Sequence, residues 1–401
     1  MGLDEKSLNI LSNPPTTKPL FSNLRYLDCG RADEVMPLLH LPFPSFISPD
    51  LRGLDTSKPQ TWLQSFSTFS PNLTSLSIGP QTLCFRPVGK INFSYFCSWR
   101  NLQSLTCHRI SLDVDALSLL SRMPSLTRLD FKLSAISLDF DVIISFSNLR
   151  DVTLRSKSLV LVQKLLTLIR LPIIADLAPM IENTPSREEF SSLLACIQTS
   201  GIGHIIQGLQ LYQWTPFLGL RDRGGPILGL EDLLPCMALS NLRHININVE
   251  WNIGLTDSDL LTLASAWPHL ETLSINEQWG WNTLGGITLN GLLQLLQTCQ
   301  SLTRVALVID TRSYTKLPQS PANLRLTLLP TLFINVIDSI IEADAVPAMA
   351  AFFAGFAPCS FRTWSSEYDP ALELLYGEDE IYKNRWMDVF RGHRPASSGD
   401  F

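Results

Sequence analysis

Charge is scarce in this sequence. Charged residues fill 17% of its 401 positions, and no run of basic residues occurs. With a net charge of −6 and a pI near 5.6, nothing electrostatic points to nucleic acid, whose phosphates call for clustered Lys and Arg. Cysteine is sparse as well. Cys29, Cys84, Cys97, Cys107, Cys196, Cys236, Cys299 and Cys359 stand far apart, without a C-x-x-C pair. That excludes the usual zinc spacing and the dense disulfide framework of small secreted folds. They read as buried free thiols in a reducing compartment. Long apolar runs are missing too. The amino terminus has no signal-peptide core. Lys6 breaks the myristoylation pattern that Gly2 opens. The most apolar stretch, Val346 to Pro358, is too short for a bilayer and holds two prolines. The chain therefore reads as intracellular, cytoplasmic or nuclear, with no membrane partner.

Catalytic signatures are absent in the same way. "VGKI" at Val88 lacks the rest of a phosphate-binding loop, and "GIGHII" at Gly201 is no dinucleotide fingerprint. Neither H-E-x-x-H nor G-x-S-x-G occurs. The six histidines are widely separated. No catalytic residue, cofactor or metal is expected, and the chain reads as a non-enzyme.

What is present is leucine, 69 of them, arranged as a refrain. "SNLRYLDCG" at Ser22 returns as "PNLTSLSIG" at Pro71, "RNLQSLTCH" at Arg100, "PSLTRLDFK" at Pro124 and "SNLRDVTLR" at Ser147. It continues as "SNLRHININ" at Ser240, "PHLETLSIN" at Pro268 and "QSLTRVALV" at Gln300. Weaker copies fall at Leu51 with Leu54, at Ile206 and at Leu329. Successive first leucines are mostly 22 to 32 residues apart. The long gap from Leu149 to Ile206 leaves room for a degenerate copy. Written as L-x-x-L-x-L, this is the leucine-rich-repeat pattern. The last two apolar positions lie two apart, so on a strand they face one way. One layer cannot bury its own apolar face, whereas stacked layers share a core.

Between the refrains, "SLDVDALSLLSRM", "LTDSDLLTLASAW" and "ITLNGLLQLLQTC" carry helical apolar stripes. Thr256 and Asp259 form a capping-box pair in the second. Strand, helix, strand, helix predicts an α/β fold. The expected form is a right-handed leucine-rich-repeat solenoid, a horseshoe of about eleven or twelve layers, with parallel strands on the concave face and helices on the convex face. The division expected is a disordered leader over 1–19, the solenoid over 20–360, a capping segment with a helix over 361–393, and a disordered tail over 394–401.

Several phrases resemble the leucine-rich region of fungal, basidiomycete F-box-like proteins, within the ribonuclease-inhibitor-like superfamily. They include "TLSINEQWGWNTLGGITLNGLLQLLQTCQSLTRVALVID", "LTDSDLLTLASAWPHLETLSI", "INVIDSIIEADAVPAMAAFFAGFAP" and "YKNRWMDVF". The resemblance spans roughly Leu20 to Arg391. It implies repeats that present a substrate to a ubiquitin ligase, docked to Skp1 by an amino-terminal F-box. The refrain begins by Ser22, and "NPPTTKP" at Asn13 resists a helix. No F-box is expected in the residues given, and a Skp1 partner only where one is missing from this gene model.

Outward positions of the strands should form the binding face, at two, four and six residues after each first leucine. These give Arg128, Asp130, Lys132, Asp151 and Arg155, a charged patch whose mixed signs also allow mutual neutralisation. Further along come Tyr212, His244, Asn246, Asn248 and Asn276. Trp251, Trp279 and Trp281 follow the strands, either as aromatic anchors at the rim or as covers for the core edge. The expected partner is a protein of unknown identity. The leading reading is a non-catalytic protein-binding module, as the substrate-recognition part of a ligase adaptor. A stand-alone scaffold or inhibitor is the second, and an enzyme with a site assembled across repeats the third.

Overall fold

The computed structural model describes residues 25–28, 48–51, 63, 67–68, 70–78, 92–133, 143–214, 226–281, 283, 286–312, 332–337, 339–354, 360–362 and 377–391. The leader, the tail, Cys29, Cys84, Cys359, Leu54 and Leu329 lie outside them. The chain divides into two compact units: Met1–Glu182 with Ser200–Ile202, and Asn183–Thr199 with Gly203–Phe401.

In the first unit the refrains become β1 (Tyr26–Asp28), β2 (Ser48–Leu51), β3 (Ser75–Ile78), β4 (Ser104–Leu112) and β5 (Arg128–Leu133). After the short β6 (Ile144–Ser145) come β7 (Asp151–Ser156), β8 (Ile169–Arg170) and β9 (Asp176–Ile181). Strands β1, β2, β3, β4, β5, β7 and β9 lie side by side in that order, all parallel. The minor pair β6 and β8 is parallel as well. The register fixes the repeat. Leu76, Leu105, Leu129, Val152 and Leu177 stand in one row, and Ile78, Cys107, Phe131, Leu154 and Pro179 in the next. All of these are buried, as are the first leucines Leu73, Leu102, Leu126 and Leu149.

The layers are joined at one recurring point. The carbonyl just after each first apolar residue accepts two N–H groups of the next layer. Thr74 O takes those of Gln103 and Ser104, Gln103 O those of Thr127 and Arg128, and Thr127 O those of Arg150 and Asp151. Backbone polar groups entering a core are thereby satisfied. Helices α1 (Val114–Ser121) and α2 (Leu159–Leu168) return the chain, and Asp113 caps α1 through its bond from Ala116 N.

Two copies differ from the expected pattern. Leu51 is not a first leucine, because it pairs with Ile78 and so holds the third place, with Pro49 in the second. In the long gap the copy is Ile174, just before β9, with Leu177 and Pro179 on it. Proline disguises both copies, since it is rare in a sheet interior. In β9 it costs the β7 side no bond, because Asp176 and Glu182 are among the residues that donate towards β7. The alternation of N–H groups places residue 179 on the other edge.

The second unit begins with α3 (Arg187–Thr199) and β10 (Gly208–Gln213), then β11 (Ile227–Leu228), α4 (Leu230–Leu233) and β12 (His244–Asn248). Next come β13 (Asn252–Ile253), α5 (Asp257–Ala266), β14 (Thr272–Ile275), α6 (Leu289–Thr298) and β15 (Arg304–Ala306). It closes with β16 (Phe333–Asn335), α7 (Val346–Ala354), β17 (Ser360–Arg362) and α8 (Gly377–Arg391). Strands β10, β12, β14, β15, β16 and β17 are neighbours in that order, again parallel. The Thr256–Asp259 capping box is formed at α5. Helix α8 docks Trp386 and Val389, with Trp386 Nε1 donating to Ser339 O at 2.8 Å.

The three tryptophans are buried with the core and are not set out as anchors on a rim. Trp251 and Trp281 are fully buried, and Trp279 is 8% exposed. Trp251 Nε1 donates to Pro185 O at 2.9 Å and its ring meets Phe190 edge-on. Trp281 Nε1 donates to Ile275 O at 2.8 Å. A buried indole that has found an acceptor for its N–H is a packing element. Free thiols are the rule among the described cysteines, and Cys107, Cys236 and Cys299 are buried. Burial pushes the Cys236 thiol up to about 12 and Cys299 up to about 11.

This architecture is an α/β leucine-rich-repeat solenoid, as the refrain predicts.

Candidate functional site

The outward strand faces carry the candidate residues, and the two units treat them differently. In the first, the five charged candidates come together as a zipper. Arg128 Nη2 lies 3.0 Å from Asp151 Oδ2. Arg155 grips Asp130 with both Nε and Nη2 at 2.8 Å, the bidentate geometry that Arg favours. Lys132 Nζ reaches Glu182 Oε1 at 2.8 Å. The group is therefore neutralised within itself rather than presented as free charge. Arg128 is the member that stands out, with its side chain 64% exposed, whereas Arg155 is at 24% and Asp130 at 14%. Beside the zipper, β3 and β4 carry the half-buried hydroxyls of Ser75, Ser77, Ser104 and Thr106.

In the second unit, Asn246 Nδ2 donates to the Tyr212 hydroxyl at 2.6 Å. Burial, and then the Glu277 charge, hold the Tyr212 phenol above its ordinary range. His244 Nδ1 meets Thr272 Oγ1 at 3.3 Å, and its Nε2 lies 3.8 Å from Glu271. Glu271 also receives Arg243 at 2.6 Å. Glu277 gathers three strands. Its carboxylate accepts from Ser274 Oγ at 3.0 Å, Asn335 Nδ2 at 2.9 Å and Arg304 Nη2. Burial alone would push this acid up, but the hydrogen bonds from Arg304 and Asn335, the Arg304 charge and the bond from Ser274 together outweigh it and leave it below the ordinary carboxylate value. The Arg304 guanidinium sits 4.7 Å above the Phe333 ring centre.

Asn248 and Asn276 do not belong to the face. Both are buried, at 1% and 0% exposure. Strand alternation ends where the chain turns inward. Asn276, at a φ of 52°, accepts from Val249 N and donates to Trp251 O. Asn248 Oδ1 accepts from Gln278 N at 3.0 Å. They satisfy the backbone of the turns that leave β12 and β14.

Two residues that the alternation did not select matter more: Glu182 and Glu277. Glu182 was hidden with its proline-bearing copy. Yet an acid eight residues after the first apolar position recurs, as Glu182, Glu250 and Asp310. Glu250 holds Thr184 Oγ1 at 3.2 Å, and Asp310 holds Arg312 at 2.7 Å. That recurrence was the signal available. Among the described residues, no group of three or more His, Cys, Asp or Glu is arranged to hold a metal. No described helix is long and apolar enough to cross a membrane.

No family model matches the sequence, and no curated protein matches it either. Solved leucine-rich-repeat structures are similar at a distance. The yeast Rad7–Elc1 complex aligns at 11% identity and a TM-score of 0.37, over 82% of this chain and 77% of that one. The TLR13–ssRNA13 complex aligns at 13% and 0.41, over 85% of this chain and 51% of that one. The APL1B repeat domain aligns at 12% and 0.26, over 74% and 91%. The assignment of the fold rests on the chain's own register.

Proposed function

We propose that the chain is a non-catalytic protein-binding module that meets its ligand through the outward faces of its strands. The observation that supports this reading is the register. Parallel pairing sets outward side chains in straight rows about 4.8 Å apart, from Arg128 to Asp151 in one unit and from His244 to Phe333 in the other. Such a lattice suits a broad protein surface, whereas a small molecule calls for a deep apolar pocket with convergent groups. The finer reading, substrate recognition for a ubiquitin ligase, is supported by the phrases shared with F-box-like proteins. Co-purification of the complete gene product with Skp1 tests it, and a partner that binds without Skp1 favours a stand-alone scaffold.

Affinity purification with quantitative mass spectrometry tests the face. Arg128→Glu and His244→Glu alter exposed strand-face tips. Lys164→Glu and Ser265→Glu alter the helical side, where both residues are exposed. A specific partner should weaken with the first pair and persist with the second. The opposite pattern moves the binding surface to the helices.

A further inference from the structure

On the strand face of the second unit the paired charges do not stand level. In each of its ion pairs the cation is the outer member. Arg304 is 39% exposed over Glu277 at 17%. Arg243 at 47% and His244 at 40% stand over Glu271 at 30%. The acids are drawn inward by their own bonds, Glu277 by Ser274 and Asn335. An approaching ligand therefore meets guanidinium and imidazole edges first.

These tips fall on one line. His244, Thr272, Arg304 and Phe333 are register partners on β12, β14, β15 and β16. Three strand spacings make a row of about 14 Å, the length of four or five extended residues. Arg304 is held in place before any ligand arrives. Phe333 lies under its guanidinium, and Glu277 engages Nη2 alone. Among the described residues Nε and Nη1 have no hydrogen-bond partner, so a planar carboxylate has donors left to meet. His244 and Thr272 continue the line as a linked ring nitrogen and hydroxyl. The half-buried Phe333 adds apolar surface beside the charge.

We propose that this row is a docking strip for an acidic segment of the protein partner, with Arg304 receiving an Asp or Glu carboxylate. The inference rests on the protein-binding reading above and gives its ligand a chemistry. The chain's net charge of −6 provides no long-range attraction for such a segment. The contact must act at short range, and its strength must fall with salt, within a Debye length of about 8–10 Å. A nucleic acid would need an array of unpaired cations to displace counterions. Here Arg243 and Arg304 each already carry an acid.

Fluorescence anisotropy on the full chain at low salt tests this, with short labelled peptides of Glu and Phe, matched peptides of Gln and Phe or Lys and Phe, and an oligouridine. The acidic peptide should bind, and the other three should bind at least about tenfold more weakly. Arg304→Ala should weaken the acidic peptide about tenfold. Thr272→Glu should do the same by repulsion while leaving the Glu277–Arg304 pair intact, and Thr272→Gln should not. Thermal melts of each variant separate lost binding from lost folding. The strip is refuted by equal binding of the Gln peptide, by indifference to Thr272→Glu, or by preference for oligouridine. A partner that depends on other strand-face residues but ignores Thr272→Glu sinks the strip alone. A partner that ignores every strand-face change sinks the broader reading.

Discussion

Asn276 combines two duties that few side chains can share. Its φ of 52° lies where Gly and Asn are at home and other residues pay about 1–2 kcal/mol. Its amide also serves Val249 N at 3.0 Å and Trp251 O at 2.8 Å, both buried. Asn276→Gly keeps the conformation and strands two buried groups, at about 1–3 kcal/mol each. Asn276→Ala strands the same groups and adds the strain. Urea unfolding should therefore rank wild type above Gly and Gly above Ala, and equal losses for the two variants would show that the strain costs nothing. The same residue shows what the sequence conceals at this scale. Alternation assigns Asn276 and Asn248 to the outer face, but Asn276 lies past the end of β14 at Ile275 and Asn248 is the last residue of β12, and both are buried where the chain turns. Arg128, Arg155 and Lys132 were legible as outward residues. Glu182, which pairs with Lys132, was not, because Pro179 hid the copy it belongs to.

Elements are joined to their neighbours through a few clasps, and the start of α6 is the tightest. Asp257, on α5, accepts from Thr288 N and Thr288 Oγ1, each at 2.7 Å. A Cβ on Gly291 would lie 2.0 Å from Asp257 Oδ1 and 2.6 Å from its Cγ. Gly291 is thus required although glycine inside a helix costs roughly 1 kcal/mol relative to alanine. Gly291→Ala should destabilise the protein by displacing Asp257. In an Asp257→Gly background all three side-chain contacts are gone and only helix propensity remains at position 291, so the same change should stabilise by about 1 kcal/mol. A double-mutant cycle by urea unfolding reads the reversal of sign, and additivity would show that the two residues do not meet.

Glu277 is the clasp across β14, β15 and β16, and it ties stability to pH. Its folded value is held below the ordinary 4.5. A carboxylate depressed in this way contributes fully above its unfolded value, and the contribution is lost as pH falls through the folded one. Replacement by Gln removes the group that titrates. Glu277→Gln should therefore be less stable than wild type at neutral pH, and the gap should narrow as the pH is lowered below about 4.5. Chemical unfolding over a pH series checks this. A gap that stays constant would mean that the acid limb belongs to other carboxylates, such as Asp310 beside Arg312.

Stacking within each unit is one-dimensional, and this was the part of the molecule most open to reading. A period of apolar positions survives substitution, so Cys107 and Phe131 could stand in for leucine without obscuring it. Where proline entered, at Pro49 and Pro179, the period broke on the page while the layer persisted in space. A stacked layer leans only on its neighbours. Leu129, 1% exposed, stands between Leu105 and Val152 on β4 and β7. Leu129→Ala removes buried methyl groups and leaves a cavity, which should cost roughly 2–5 kcal/mol. The loss should be local, because the cavity opens towards β4 and β7 and not towards strands further along the stack. Hydrogen exchange followed by mass spectrometry should show protection falling in peptides from Ser104 to Ser156 while the peptide covering β3 changes least. Uniform loss from β3 to β9 would instead mean that this unit opens as one block, with nearest-neighbour stacking too strong for any single layer to open alone.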